Sequence, residues 1–359
     1  MNDTYVFTGG GTGGHIFPAL AIADALKKRR PDAHIVFIGA EGRMETRIVP
    51  RHGYPLHTLP IRGLQRGQVL PNLTLPWHVI RSLMQARKLL KDLRPRWVVG
   101  TGGYASLPVG WMAHRLGIPL LIQEQNFYPG LTNRLLGRWA RYVCVPHADL
   151  KKYFPRAHLQ PLGNPVRPSL LNLPARQTAL QRWELSPERL TIGILGGSLG
   201  AVPINEAIAH LIHQSAFPDV QWIWQTGRRY TPPAPLPPTV RAIPFIDRME
   251  DFYAAADIVI ARAGAITLAE LAVTARPAIL IPSPHVAEDH QTRNAQFLVQ
   301  HHAALMVPEH TLPHNLHASL HNLLNNPALR AQLAHHIHQL ARPHAAQEIA
   351  ELLIDESML

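Results

Sequence analysis

The chain has 359 residues, 46% of them hydrophobic, and 35 Lys and Arg against 24 Asp and Glu give a formal net charge of +11. That hydrophobic share excludes wholesale disorder, and the length exceeds what one core usually organises, so two domains are expected. So basic a chain attracts anionic partners: nucleic acid, phosphorylated substrates or an acidic membrane surface. Nucleic acid ranks last, because no recognised binding motif or long Lys/Arg run is present.

The start, Met1-Asn2-Asp3-Thr4, has neither the basic nor the apolar part of a signal peptide. Tyr5 to Phe7 reads as a short buried strand, and Ile16, Leu20, Ala23 and Leu26 recur at helical spacing. Between them lies Thr8-Gly9-Gly10-Gly11-Thr12-Gly13-Gly14-His15, a glycine loop joining strand to helix. Backbone N–H groups at such a helix start favour an anion, and glycine allows the close approach. Gly9, Gly11 and Gly14 also fit the G-x-G-x-x-G dinucleotide fingerprint, whereas no Lys-Ser or Lys-Thr follows to make a P-loop.

Further along, His34–Ile38 reads as a strand, Glu41–Val49 as a helix and Pro55–Leu59 as a third strand. Leu75–Leu93 carries the helical pattern Val79, Leu83, Ala86, Leu90. Trp97–Val99 is a strand leading into Gly100-Thr101-Gly102-Gly103-Tyr104, and the glycines and prolines of Trp97–Ala113 rule out a membrane span there. Pro119–Ile122 is another strand, followed by Gln123-Glu124-Gln125-Asn126 and a helix near Leu131–Leu136. Tyr142–Val145 closes the series and holds the single cysteine, Cys144, as a small core residue. One cysteine allows no disulfide framework, which fits the cytoplasm.

The proline-rich stretch Gln160–Pro187 is the expected linker, after which the pattern restarts. Leu190–Leu195 is a strand and Gly196-Gly197-Ser198-Leu199-Gly200 a second strand-to-helix glycine loop. Val220–Gln225, Ile258–Ile260 and Ala278–Ile281 supply further strands, and the prolines of Thr231–Pro238 make a surface loop. The fold class is therefore α/β, with two Rossmann-like domains facing across a cleft and ligands at the C-terminal strand ends. The expected division is 1–165 and 166–342, with the last helix, 343–359, packing back on the first domain.

The strand Ile258–Ile260 runs into Arg262-Ala263-Gly264-Ala265-Ile266-Thr267-Leu268-Ala269-Glu270. Backbone N–H groups at Ala265, Ile266 and Thr267 suit a phosphate, with the helix macrodipole adding about 0.3–2 kcal/mol. Glu270, one turn into an otherwise apolar helix, can accept from both hydroxyls of a ribose; the alternative is a solvated helix glutamate. His314, His317 and His321, with His335, His336 and His338, read as solvated helix faces, since neither acid nor cysteine joins them.

Together these motifs resemble the glycosyltransferase family of GT-B type that adds N-acetylglucosamine to lipid I in peptidoglycan synthesis, a family-28 enzyme. The resemblance rests on GGGTGGHIFP at Gly9–Pro18, GTGGY at Gly100–Tyr104, Glu124-Gln125-Asn126, and Gly163-Asn164-Pro165-Val166-Arg167. It continues through GGSLGA at Gly196–Ala201, Phe245-Ile246-Asp247, Arg262–Glu270, and Gln291 with Asn294-Ala295, in family order over nearly the whole chain. The chain departs from some members at Gln123, where they carry histidine, and at His290, where they carry glutamine.

The resemblance implies a UDP-GlcNAc donor held mainly by the second domain. The Ile246 backbone would pair with uracil and Glu270 would hold the ribose. Ser198 and the helix start Ala265–Thr267 would hold the diphosphate, with Leu268 and Ala269 alongside. Asn126, Gln291 and the backbone near Ala265 would read the sugar, with Arg167, Thr12, Gly13 and Gly14 as further donor contacts. The undecaprenyl-diphosphate-MurNAc-pentapeptide acceptor would place its diphosphate near Gly10, Gly11, Gly102, Gly103 and Tyr104.

The implied reaction is inverting transfer to the acceptor's C4 hydroxyl, for which a base is worth about 10²–10⁴-fold. His15 is the first candidate, since an unperturbed imidazole is largely neutral at cytoplasmic pH, and Glu124 the second. The competing reading is that His15 binds or orients acceptor or donor without taking the proton. No Asp-x-Asp metal signature occurs, so no metal or other cofactor is expected. An apolar concentration at Leu70, Leu73, Leu75, Trp77, Val79, Ile80, Leu83 and Met84 is surrounded by Arg62, Arg66, Arg81, Arg87, Lys88 and Lys91. It reads as a peripheral patch for the anionic cytoplasmic face of the inner membrane, or in part as a core-facing helix.

Three alternatives stay open. Another GT-B enzyme of UDP-sugars, a glycolipid transferase or an epimerase, differs in acceptor dependence. An NAD-dependent oxidoreductase needs an acidic residue ending the second strand, for which Glu41 is loosely placed. A non-catalytic anion-binding membrane protein leaves Glu270, Asn126 and Gln291 without a role.

Overall fold

The computed structural model describes residues 3–62, 75–197, 200–286, 289–312 and 314–355. The chain divides into two compact units, 1–166 with 344–359, and 167–343.

In the first unit the strands are β1 (Thr4–Gly9), β2 (His34–Ala40), β3 (Leu56–Leu59), β4 (Trp97–Gly102), β5 (Leu120–Gln123), β6 (Tyr142–Cys144) and β7 (His158–Gln160). Helices α1 (Gly13–Arg29), α2 (Glu45–Arg51), α3 (Leu75–Leu93), α4 (Ser106–Arg115) and α5 (Leu131–Leu136) alternate with them. The sheet is parallel with order β3-β2-β1-β4-β5-β6-β7. Side chains alternate across it as the strand period requires. Tyr5, Phe7, Trp97 and Val99 face α1, while Val6, Val98 and Ile122 face α3 and α4. The C-terminal helix, Ala345–Ile354, buries Ile349, Ala350 and Leu353 in the α1 layer, and its Glu351 pairs with Arg29.

The second unit holds α6 (Arg176–Arg182), β8 (Leu190–Leu195), α7 (Val202–His213), β9 (Val220–Gln225), β10 (Val240–Ile243), α8 (Met249–Ala255) and β11 (Ile258–Ala261). It continues with α9 (Ala265–Val273), β12 (Ala278–Leu280), α10 (His290–Gln300), β13 (Leu305–Met306), α11 (His314–Asn325) and α12 (Pro327–Gln339). Its parallel sheet has the order β10-β9-β8-β11-β12-β13, a Rossmann arrangement. Ile192, Trp222, Trp224 and Ile260 fill one face, and Leu195, Ile223, Val259 and Ala261 the other.

Several expectations need correction. Tyr142–Cys144 does not close the first sheet, because β7 pairs beyond it. The stretch 160–187 is not a plain linker: Leu170, Ala179 and Leu180 are buried in the second core. β10 and β13, absent from the sequence reading, are short edge strands whose partly exposed residues give little alternation to read.

In both sheets the strand order reverses beside the first strand of the unit, between β1 and β4 and between β8 and β11. Loops leaving a parallel sheet diverge at such a point, and ligands bind there. The glycine loops after β1 and β4 meet at the first, and the loops after β8 and β11 leave the sheet at the second.

Candidate functional site

At the first reversal point, Thr12 caps α1 without a side-chain hydrogen bond, and the first helical bonds run from His15 and Ile16 to the Thr12 carbonyl. The N–H groups of Gly13 and Gly14 precede that bonding, which suits an anion. Gly102 and Gly103 lie against this turn with φ of +105° and +80°. A Cβ on Gly102 would come 2.9 Å from His15 Nδ1, and one on Gly103 would collide with the Gly10 carbonyl oxygen. Thr101 Oγ1 donates to the His15 carbonyl at 2.7 Å, tying the two loops together. The His15 ring is held from a third side, its Nδ1 lying 3.1 Å from Gln125 Oε1.

The loop has a support that sequence reasoning missed. Glu45 is 1% exposed, and its carboxylate accepts from Gly11 N–H and Ala40 N–H, each at 3.0 Å. It sits against Gly10 and Gly39, where side chains would displace it. The acid beyond β2 that reaches the glycine loop is thus Glu45, turned inward, while Glu41 is exposed. Of the expected acceptor-diphosphate donors, Gly11 N–H is already engaged by this carboxylate. Tyr104 packs its ring on Gly11, and its hydroxyl is buried with no hydrogen-bond partner among the described residues. Burial raises the pKa of that phenol, so it stays a donor.

Glu124, the second candidate base, is bound within its own loop. Its Oε1 accepts from Asn126 N–H at 2.8 Å and Asn126 Nδ2 at 3.2 Å. Its Oε2 accepts from Gly130 N–H at 3.1 Å and Asn133 Nδ2 at 2.9 Å. Bonds to an ionised group contribute about 1.5–3 kcal/mol each, and the four of them fold the loop after β5. Burial pushes the Glu124 carboxyl up against the pull of these donors. With 1% exposure and these four donors converging on it, Glu124 braces the loop that follows β5. Asn126, expected at the sugar, is turned toward this carboxylate through both nitrogens.

At the second reversal point, Gly264 caps α9 and the first helical bond is Leu268 N–H to its carbonyl. The N–H groups of Ala265, Ile266 and Thr267 precede it, as a phosphate site requires. Asn294, fully buried on α10, donates to the Ala263 carbonyl at 3.1 Å and holds this turn. Arg262 points away from it, bonding the Ile281 carbonyl at 3.1 Å and pairing with Glu309. Gln291 accepts from Ser283 N–H at 2.9 Å, which leaves its amide nitrogen as the donor end.

Glu270 is 4% exposed, too buried for a solvated helix glutamate. Oε1 accepts from Arg167 Nε and Oε2 from Tyr253 Oη, both at 3.0 Å. Burial raises its pKa, with Arg167 the largest opposing pull. Tyr253, unmarked in sequence, is buried and carries a pKa raised by burial and by Glu270, so it remains protonated and donating. Leu268 lies in the core beneath, and Ala269 follows it on the helix. Ile246 is buried and its N–H donates to Gln225 Oε1 at 3.0 Å, while Gln225 Nε2 donates to the Gly197 carbonyl at 3.0 Å. Gln225 thus bridges the expected uracil position to the second glycine loop. Ser198 lies outside the described residues. Among the described residues no three His, Cys, Asp or Glu are grouped to hold a metal, the histidine faces included.

Two parallel-sheet α/β domains, each with its loops leaving the sheet at a reversal point, make the fold that GT-B glycosyltransferases have. A crystal structure of Acinetobacter baumannii MurG superposes with a TM-score of 0.80 at 30% identity, covering 98% of this chain and 99% of that one. Residues 5–145 match the glycosyltransferase family 28 N-terminal domain and residues 191–349 the family 28 C-terminal domain. The chain belongs to glycosyltransferase family 28. It is 44% identical to the UDP-N-acetylglucosamine--N-acetylmuramyl-(pentapeptide) pyrophosphoryl-undecaprenol N-acetylglucosamine transferase of Porphyromonas gingivalis, over 97% of this chain and 94% of that one. The same identity holds to the protein of that description from Flavobacterium psychrophilum, over 98% and 96%.

Proposed function

We infer that the chain transfers N-acetylglucosamine from UDP-GlcNAc to the C4 hydroxyl of MurNAc in undecaprenyl-diphosphate-MurNAc-pentapeptide. The observation that carries this is the 44% identity, across nearly the full length, to transferases described by that donor and acceptor. The acceptor hydroxyl gives its proton to His15 as its oxygen attacks the anomeric carbon from the face opposite UDP. The new C–O bond forms as the bond to the diphosphate oxygen breaks, inverting the centre and releasing UDP.

The second unit is the donor domain in this reading. Glu270, already aligned by Arg167 and Tyr253, accepts from the ribose hydroxyls through its remaining lone pairs. The α9 start takes the diphosphate, with Ser198, and Gln291 turns its amide donors to the sugar together with Asn126. The Ile246 carbonyl accepts from uracil; pairing to its N–H as well requires Gln225 to swing away. The first unit is the acceptor domain, with Tyr104 Oη and the N–H groups of the Gly102–Gly103 turn and of the glycine loop, Gly11 excepted, toward the acceptor diphosphate.

Helix-start donors neutralise the charge arriving on UDP without a cation, which makes the transfer metal-independent. UDP release measured with a short-chain acceptor analogue should depend on acceptor and persist in excess EDTA. Loss in EDTA restored by magnesium would refute metal independence. UDP binding without acceptor-dependent release would point to another acceptor.

A lipid-linked acceptor requires membrane contact. Among the described residues no helix is long and apolar enough to cross a membrane. On α3, Ser82, Ala86 and Leu90 face the core, whereas Trp77, Ile80 and Met84 are 64%, 51% and 59% exposed. Arg81, Arg87, Lys88 and Lys91 are exposed on the same helix, and Leu70, Leu73 and Arg66 lie outside the described residues. This supports peripheral binding at the cytoplasmic face of the inner membrane. Each basic residue near anionic lipid contributes about 1 kcal/mol, so Arg81→Glu with Lys88→Glu should weaken binding to anionic vesicles at least about tenfold. Unchanged vesicle binding would remove α3 from that role.

A further inference from the structure

The Glu124-Gln125-Asn126 motif contains a residue that the reaction as drawn does not use. Gln125 is 1% exposed, and its carboxamide can lie only one way round. Its Nε2 donates to the Thr101 carbonyl at 2.8 Å, to the Gln123 carbonyl at 3.0 Å and to Gln123 Oε1. Carbonyl oxygens only accept, so turning the amide over would set its oxygen against oxygens.

The same constraint runs one layer outward. Asn164 Nδ2 donates to the Gln125 carbonyl at 2.8 Å, which leaves Asn164 Oδ1 to accept from Gln123 Nε2 at 3.0 Å. That orients Gln123, whose Oε1 then accepts from Gln125. The three amides are buried and share one polarity, set by backbone carbonyls rather than by assignment of indistinguishable atoms. Gln125 Oε1 therefore faces His15 Nδ1 as a pure acceptor at 3.1 Å, a hydrogen bond only when Nδ1 carries the proton.

We propose that Gln125 is a positioning residue for the transfer, holding neutral His15 as the Nδ1–H tautomer and placing its lone pair on Nε2. This rests on the reading of His15 as the base. In a Ser-His-Asp triad a carboxylate selects the tautomer and also stabilises the imidazolium; a neutral amide does the first and contributes less to the second. Gly102 flanks the Nδ1 side of the ring, where it leaves room for the contact. The titratable side chains of the surrounding loops are Glu45, Glu124 and Tyr104, with Arg43 beside Tyr104. Glu124 is turned to donors of its own loop, and Glu45 to Gly11 N–H of the first glycine loop and Ala40 N–H. Gln123 enters the arrangement as the link that orients Gln125, a role that gives meaning to an amide at this position.

The test is long-range nitrogen NMR on the full chain near neutral pH, with His15 assigned by difference against His15→Gln. The wild-type ring should show a protonated Nδ1 and an unprotonated Nε2. Gln125→Met keeps the volume and removes the acceptor. It should shift the ring toward the Nε2–H form and lower kcat about ten- to a hundredfold, with the KM for UDP-GlcNAc within about twofold. An Nε2–H ring in the wild type, or an unchanged Nδ1–H ring in folded Gln125→Met, overturns the proposal. The wild-type spectrum decides the tautomer even if the variant does not fold. Normal turnover in His15→Ala fails the base reading itself, whatever the spectrum.

Discussion

His15→Ala lowers turnover at saturating donor and acceptor by at least about a hundredfold, the lower range for removing a general base. The loss falls on kcat. His15 sits in the first turn of α1, between the Gly102–Gly103 turn and Gln125, where its ring has a fixed orientation. An interaction made only in the transition state lowers kcat and kcat/KM together, whereas lost substrate binding raises KM with kcat kept. Steady-state kinetics with both substrates varied separates the two. A rise in KM alone would make His15 a binding residue and return the search for a base to water.

Glu270→Ala raises the KM for UDP-GlcNAc by about a hundredfold or more, from two charge-assisted hydrogen bonds to ribose at about 1.5–3 kcal/mol each. The folded chain tolerates the change. Burial raises the Glu270 pKa, so its ionised form is less favoured in the fold than in water, and Arg167 is 42% exposed and can solvate its charge. Arg167 Nε and Tyr253 Oη both lose Glu270, and of the two only Tyr253 Oη is buried. Glu270→Gln keeps an acceptor for Tyr253 while halving the oxygens available to the ribose, and should still raise KM about tenfold or more. Isothermal titration of UDP with thermal unfolding on each variant separates binding from stability. Wild-type UDP affinity in both variants would remove Glu270 from the donor site.

Much of this site is legible in the sequence because its chemistry is local. A glycine loop between an apolar strand and a helix leaves the N–H groups of the helix start outside the helical bonding, and both Gly9–Gly14 and Arg262–Glu270 fold in that way. Glu270 stands out for the same reason, as a lone acid on an apolar helix. Glu124 shows where such reading stops. Nothing in the sequence tells that Asn126, Gly130 and Asn133 converge on this carboxylate.

Glu45 is the sharper case. In sequence it is one acid in a helix start; in the fold it reaches two strands' ends and occupies Gly11 N–H. Tyr253 is likewise unremarkable until packing presses its hydroxyl against Glu270. Strand and helix period, glycine placement and motif order were enough for two Rossmann-like units and for the family, because each depends on neighbours within a few residues. Which carboxylate supports a loop, which way an amide points and which imidazole nitrogen holds the proton depend on partners up to 110 residues apart in the chain. Only the folded sheet, by bringing the β1, β2, β4 and β5 loops to one edge, decides them.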